Sequence, residues 1–207
     1  MSKGQLFLIA GIIVVIVLVL LKNSLSLVEI LENRRYLEAG LENQEFKNIE
    51  DEIVKAIQIS YSQKENITEN VNNFAKFVRS SLSAKAIELN GLFVESIYSG
   101  NQLNTTAFNF LGSEIDFLNL TLNTSTPQTQ LFYAIEDGTL KETSFTLDVQ
   151  GNYSLKVFYN NSYENGSEEI IISYENGKSK FIGFFDLRLV SSRIENRDKF
   201  IETVDLQ

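Results

Sequence analysis

Residues 144–159, SFTLDVQGNYSLKVFY, contain two runs in which apolar side chains recur at every second position. Phe145, Leu147 and Val149 alternate with Ser144, Thr146 and Asp148, and Tyr153, Leu155, Val157 and Tyr159 repeat the pattern shortly after. A period of two puts one set of side chains on a single strand face, so each run predicts a half-buried β-strand. The signature extends upstream, where Leu118, Leu120 and Leu122 mark an inner face against Phe117, Asn119 and Thr121. Leu131–Ile135 then runs into an Asp137-Gly138 turn signal. Downstream, residues 170–174 and 179–190 flank Glu175-Asn176-Gly177-Lys178. Asn-Gly between two strand-like runs predicts a β-hairpin closed by a type I′ turn. Phe181, Phe184 and Phe185 crowd one stretch too densely for a one-sided strand and read as a central strand buried on both faces. Ile87, Leu89, Phe93 and Val94 surround Asn90-Gly91, a further turn or strand.

Strands at this spacing, with turn signals between them, point to an antiparallel β-sandwich over residues 86–191, immunoglobulin-like in general form. Residues 192–207 are polar and read as a tail that frays or adds a short helix. Residues 25–85 differ in character: they lack proline and are rich in Glu, Lys, Leu and Ile. Phe46, Ile49, Ile53, Ala56, Ile57 and Ser60 form one helical stripe, and Val71, Phe74, Val78 and Leu82 form a second. The two stripes are expected to pack as a helical pair or to cover a sheet. Gln63–Asn70 between them reads as a loop, with Thr68 capping the second helix. The Glu29, Glu32, Arg34, Arg35 and Glu38 cluster reads as a solvated helix face. The fold class is therefore α+β: an N-terminal transmembrane and stalk helix, a further helix, and a C-terminal sandwich.

The N-terminal segment carries its own signal. Leu6–Leu21 (LFLIAGIIVVIVLVLL) holds no charge or strong polar group. As a helix it measures about 24 Å, a little short of a ~30 Å hydrocarbon core, and the snorkelling Lys22 followed by Leu25, Leu27 and Val28 extends it. Residues 5–24 are thus expected to hold the chain in a lipid bilayer as a single-pass anchor.

The absences narrow the chemistry. The chain contains no Cys, His or Trp. Without Cys and His, thiol nucleophiles, the usual zinc sites and His-based triads are excluded. Neither common Gly-rich phosphate cradle is present. The net charge of −9 opposes binding to a nucleic-acid backbone. Glu168-Glu169 and Asp137 read as solvated turn charges rather than cation ligands. No enzymatic activity, cofactor, metal or nucleic-acid partner is expected.

Seven N-x-[ST] sequons stand at Asn66, Asn104, Asn119, Asn123, Asn152, Asn160 and Asn165. The composition, 20 Asn and 31 Ser plus Thr, gives about three by chance. The excess points to N-glycosylation, and hence to an extracellular C-terminal part.

Lys3-Gly4-Gln5, followed at once by the apolar run, resembles the class III signal peptide of archaeal type IV pilin-like proteins. The resemblance implies a leader over residues 1–4, cleavage by a prepilin peptidase between Gly4 and Gln5, and an apolar helix serving as anchor and filament core. It also implies other pilin-like subunits or a membrane assembly platform as partners. The chain departs from the pattern at the fifth mature position, where Ile9 stands in place of the common Glu, which favours a minor or non-polymerising member. Two functions follow as expectations: a pilin-like structural subunit or pilus-associated protein, or a signal-anchored adhesion module that does not polymerise.

Overall fold

A computed structural model describes residues 22, 32, 40–41, 43–63, 65–162, 165–192 and 195–206. Gly4, Gln5 and Leu6–Leu21 lie outside them. Phe46–Gln207 forms one compact unit. It comprises residues 46–63 of a helix over 43–63 (α1), a helix over Ile67–Ser83 (α2) and nine strands. The strands are β1 (Glu88–Ser99), β2 (Gln102–Phe110), β3 (Ile115–Asn123), β4 (Gln128–Ile135), β5 (Leu140–Thr146), β6 (Gly151–Asn161), β7 (Asn165–Tyr174), β8 (Ser179–Val190) and β9 (Glu195–Leu206).

All pairings are antiparallel, and the strands divide into two sheets. The first has the order β5-β2-β1-β8-β9 and the second β4-β3-β6-β7. One apolar core lies between the sheets, built on Leu92, Val94, Tyr98 and Phe184 from the first and Leu118, Leu120, Leu122, Leu155 and Val157 from the second. A second core lies on the other side of the five-stranded sheet, where both helical stripes meet Leu89, Phe93, Phe108, Phe181, Phe185 and Leu187. This unit is thus α+β in three layers, and the five-stranded sheet is the middle one.

This layering explains two kinds of strand sequence. β1 and β8 are buried on both faces, so they read as nearly continuous apolar runs. Phe93 sits at the centre of the helix-side core, its ring 5.2 Å from Phe185 and about 6 Å from Phe108 and Phe110. β3 and β6 are covered on one face only and alternate cleanly. The expected inner residues Leu118, Leu120, Leu122, Tyr153, Leu155, Val157 and Tyr159 are all buried. Val149 is not: β5 ends at Thr146, and Val149 is 71% exposed in the turn beyond it.

The helices follow their stripes, with Phe46, Ile49, Ile53, Ile57, Val71, Val78 and Leu82 buried and Ala56 and Phe74 partly so. The loop between them is shorter than the polar run Gln63–Asn70 suggests. α2 begins at Ile67, and its cap is Asn66 rather than Thr68: the Glu69 N–H donates to the Asn66 side-chain oxygen at 3.2 Å.

Two further expectations are corrected. Glu175–Lys178 does make a turn, with the Lys178 N–H donating to the Glu175 carbonyl at 3.2 Å. It joins strands of different sheets, however, since β7 pairs with β6 and β8 with β1 and β9. Of its central residues only Gly177 has a positive φ (78°), whereas a type I′ turn needs two. Residues 195–206 form β9 instead of a polar tail. The strand pairs with β8 over its whole length and carries its charges on a sheet edge, where they discourage further pairing.

Candidate interaction surface

The four-stranded sheet has an outer face that no other described element covers. Its side chains follow from register. Across one row stand Tyr133, Phe117, Asn160 and Asn165, and across the next Leu131, Asn119, Phe158 and Ser167. Thr129, Thr121, Lys156 and Glu169 form the third. A register shift between Ile115 and Phe117 lets Ile115 point into the core while Phe117 faces out.

The first two rows produce a checkerboard. Phe117 lies beside Asn160, Asn119 lies beside Phe158, and each Phe is followed two residues later by the Asn of its own strand. Residues i and i+2 share a strand face, so both Asn side chains stand among aromatic neighbours. The Phe117 ring centroid is 5.4 Å from that of Tyr133 and 6.0 Å from that of Phe158. Tyr133 is 64% exposed, Leu131 40% and Phe158 39%. A contiguous apolar patch on an open sheet face is the surface feature that most often marks a contact. Around it the face is mostly polar, apart from Ile171 of β7, which is 60% exposed. The Thr121 hydroxyl donates to the Asn119 side-chain oxygen at 3.0 Å.

The sequon asparagines all reach the surface. Asn66, Asn104, Asn123, Asn152 and Asn165 are exposed, and Asn119 and Asn160 are half-buried. Five of the seven, Asn119, Asn123, Asn152, Asn160 and Asn165, belong to the four-stranded sheet and face outward. Asn104 is on β2, where it accepts a hydrogen bond from the Ser144 hydroxyl. Asn66 doubles as the α2 cap.

Asp137, expected to be a solvated turn charge, instead binds Arg79 of α2 at 2.8 Å and accepts the Gly112 N–H at 2.8 Å. Lys199 reaches Glu168 at 3.3 Å, and the Ser154 hydroxyl donates to Glu169.

Two buried carboxyl groups lie outside this face. Asp186 of β8 is bound by the Arg197 guanidinium through both oxygens, at 2.8 and 2.7 Å, and receives the Tyr159 hydroxyl at 2.9 Å. Glu95 of β1 is sealed between the five-stranded sheet and α2, and neither of its oxygens has a hydrogen-bond partner. Burial without a partner raises its pKa to about 8, against a smaller lowering by the nearby Thr68. Among the described residues no group of three or more acidic, His or Cys side chains is arranged to hold a metal. Nor is any described helix long and apolar enough to cross a membrane.

The sequon positions are read directly from the sequence, but the aromatic patch is not. Its trace is the repeat of one short pattern, Phe117-x-Asn119-x-Thr121 and Phe158-x-Asn160-x-Ser162. Only the pairing of β3 with β6 brings the two copies together. No family model matches the chain, and no curated protein matches it either.

Proposed function

We propose that this protein is a non-enzymatic cell-surface protein, pilin-like, with an N-terminal membrane anchor carrying a glycosylated sandwich outside the cell. The observation that carries this reading is the placement of the sequons: none of the seven is buried, and five share the open face of one sheet. The anchor and the cleavage before Gln5 rest on Leu6–Leu21 and Lys3-Gly4-Gln5.

The sandwich is read as immunoglobulin-like on two counts. β1–β7 place three strands against four, and the chain changes sheet at β2–β3, β4–β5 and β5–β6, as Greek-key sandwiches do. Tyr153, near the start of β6, donates its hydroxyl to the Val149 carbonyl at 2.5 Å and accepts the Val149 N–H at 2.9 Å. A Tyr bonded back to the preceding corner in this way marks the sixth strand of many immunoglobulin-type domains. β8 and β9 then extend the edge that β1 would otherwise form.

The test is the N-terminal mass of the protein purified from its native membrane, with glycopeptides mapped in the same sample. A chain beginning at Gln5 and bearing glycans supports the pilin-like reading. An intact Met1 supports instead a signal-anchored adhesion module, a reading favoured by the exposed Phe117–Tyr133–Phe158 patch. A start near Leu27, as a secretory signal cut after the small residues Ser24-x-Ser26 would leave, would sink the anchored model.

A further inference from the structure

We propose that the aromatic patch is the seat of the protein's own sugars: the glycans on Asn119 and Asn160 fold back on Phe117, Phe158 and Tyr133 and become part of the sandwich surface. This deepens the glycoprotein reading and rests on it.

The geometry singles out these two sites. Of the seven sequons only Asn119, Asn160 and Asn165 have an aromatic residue two positions earlier, and Tyr163, which precedes Asn165, lies outside the described residues. Asn119 has Phe117 before it on its own strand and Phe158 directly across on β6. Asn160 has Phe158 before it and Phe117 directly across on β3. Cross-strand neighbours and i, i+2 neighbours both lie within reach of a first sugar ring. A pyranose ring presents one face of C–H groups, which packs on an aromatic ring by dispersion and by attraction to the negative π face. Asn123 and Asn152 stand on the same sheet face but have Thr121 and Gln150 two positions earlier.

The attachment chemistry needs a polyprenyl-phosphate-linked or diphosphate-linked oligosaccharide as donor. The Asn Nδ2 attacks the sugar C1, a C1–N bond forms, and the C1–O bond to phosphate breaks. The lipid phosphate leaves with the electron pair, and the amide gives up one proton. The Asn Oδ1 is unchanged. The sugar would cover the patch that the bare chain exposes.

The experiment uses the full chain expressed in its native host. Asn119→Gln and Thr121→Ala each remove the Asn119 sequon by a different atom, and Asn160→Gln removes the other. Asn123→Gln and Asn152→Gln serve as controls on the same face. Glycopeptide mass spectrometry reads occupancy, and thermal unfolding reads the consequence. The expected result is full occupancy at Asn119 and Asn160, with a fall in Tm of about 3 °C when either is lost and no change for the controls. In a Phe158→Ser background, the loss of the Asn119 glycan should no longer matter. Occupied sites whose removal acts no differently from the controls would overturn the inference and leave the glycoprotein reading standing. Bare asparagines at all seven sequons would overturn both.

Discussion

Tyr159 of β6 and Asp186 of β8 meet across the sandwich, the phenol donating to a carboxylate that is only 2% exposed. Gly166, opposite Tyr159 on β7, makes this possible, because a Cβ there would fall inside the Tyr159 ring. Arg197 of β9 completes the arrangement, so the last strand is tied to the core by charge as well as by its ladder.

Tyr159 and Arg197 should differ in cost. Tyr159→Phe removes the bond to a carboxylate still held by Arg197, together with the one the hydroxyl accepts from Arg197 at 2.8 Å, and is expected to cost about 1–2 kcal/mol. Arg197→Met strips the buried carboxylate of its main partner and is expected to cost about 3 kcal/mol or more. Urea unfolding midpoints would rank them, and equal costs would mean that Arg197 contributes little to holding Asp186.

Gly166→Ala leaves a valid sequon at Asn165 but displaces the Tyr159 ring. Stability should fall by about 2–3 kcal/mol through overpacking, while glycan occupancy at Asn165 is unchanged. Measuring both on one sample separates the packing role of this residue from its place in the sequon.

Glu95 sets a pH dependence. The folded protein holds the Glu95 proton up to about pH 8, whereas the unfolded chain releases it near 4.5. Folding therefore binds a proton between those values, and stability falls as pH rises, by up to about 1.4 kcal/mol per unit, before levelling above pH 8. Glu50 is also raised, to about 7, by burial and then by the neighbouring Asp198 charge, and acts in the same direction. Glu95→Gln should flatten the profile and stabilise the protein at pH 8 while changing little at pH 5. Denaturant titrations at several pH values would decide it; an unchanged slope in the variant would remove Glu95 as its source.

Asn66 serves as a helix cap as well as a sequon. Asn66→Ala should cost about 1 kcal/mol even in a host that adds no glycan, whereas Asn66→Asp keeps the cap and should stay within a few tenths. Thermal unfolding of the two variants would distinguish the roles.

Where one face of a strand is solvated, the sequence states the structure openly, as in Leu118, Leu120 and Leu122. Phe181, Phe184 and Phe185 announce their two-sided burial by density alone. β9 was not legible because Arg197, Asp198, Lys199, Glu202 and Asp205 mask the alternation of Phe200, Val204 and Leu206, which pack against the helix-side core. The Asn176-Gly177 signal gave the turn but not its partners, since a local turn preference does not encode which sheet each arm joins. The seven sequons were plain. The checkerboard was not, because Phe117 and Asn160 are 43 positions apart and meet only through register.

The pairing of β1 with β8, Glu88 opposite Val190, has a consequence in time. A ribosome delivers β1 long before β8 exists, and a strand meant for the middle of a sheet then waits with one flank open. Closing so large a loop is slow, and the five-stranded sheet stays incomplete until β8 has emerged. During that delay one flank of β1 stays open, and the helix-side core that Phe93 shares with Phe185 of β8 cannot form. The late arrival of β8 thus sets when the five-stranded sheet, and the helices packed on it, can close.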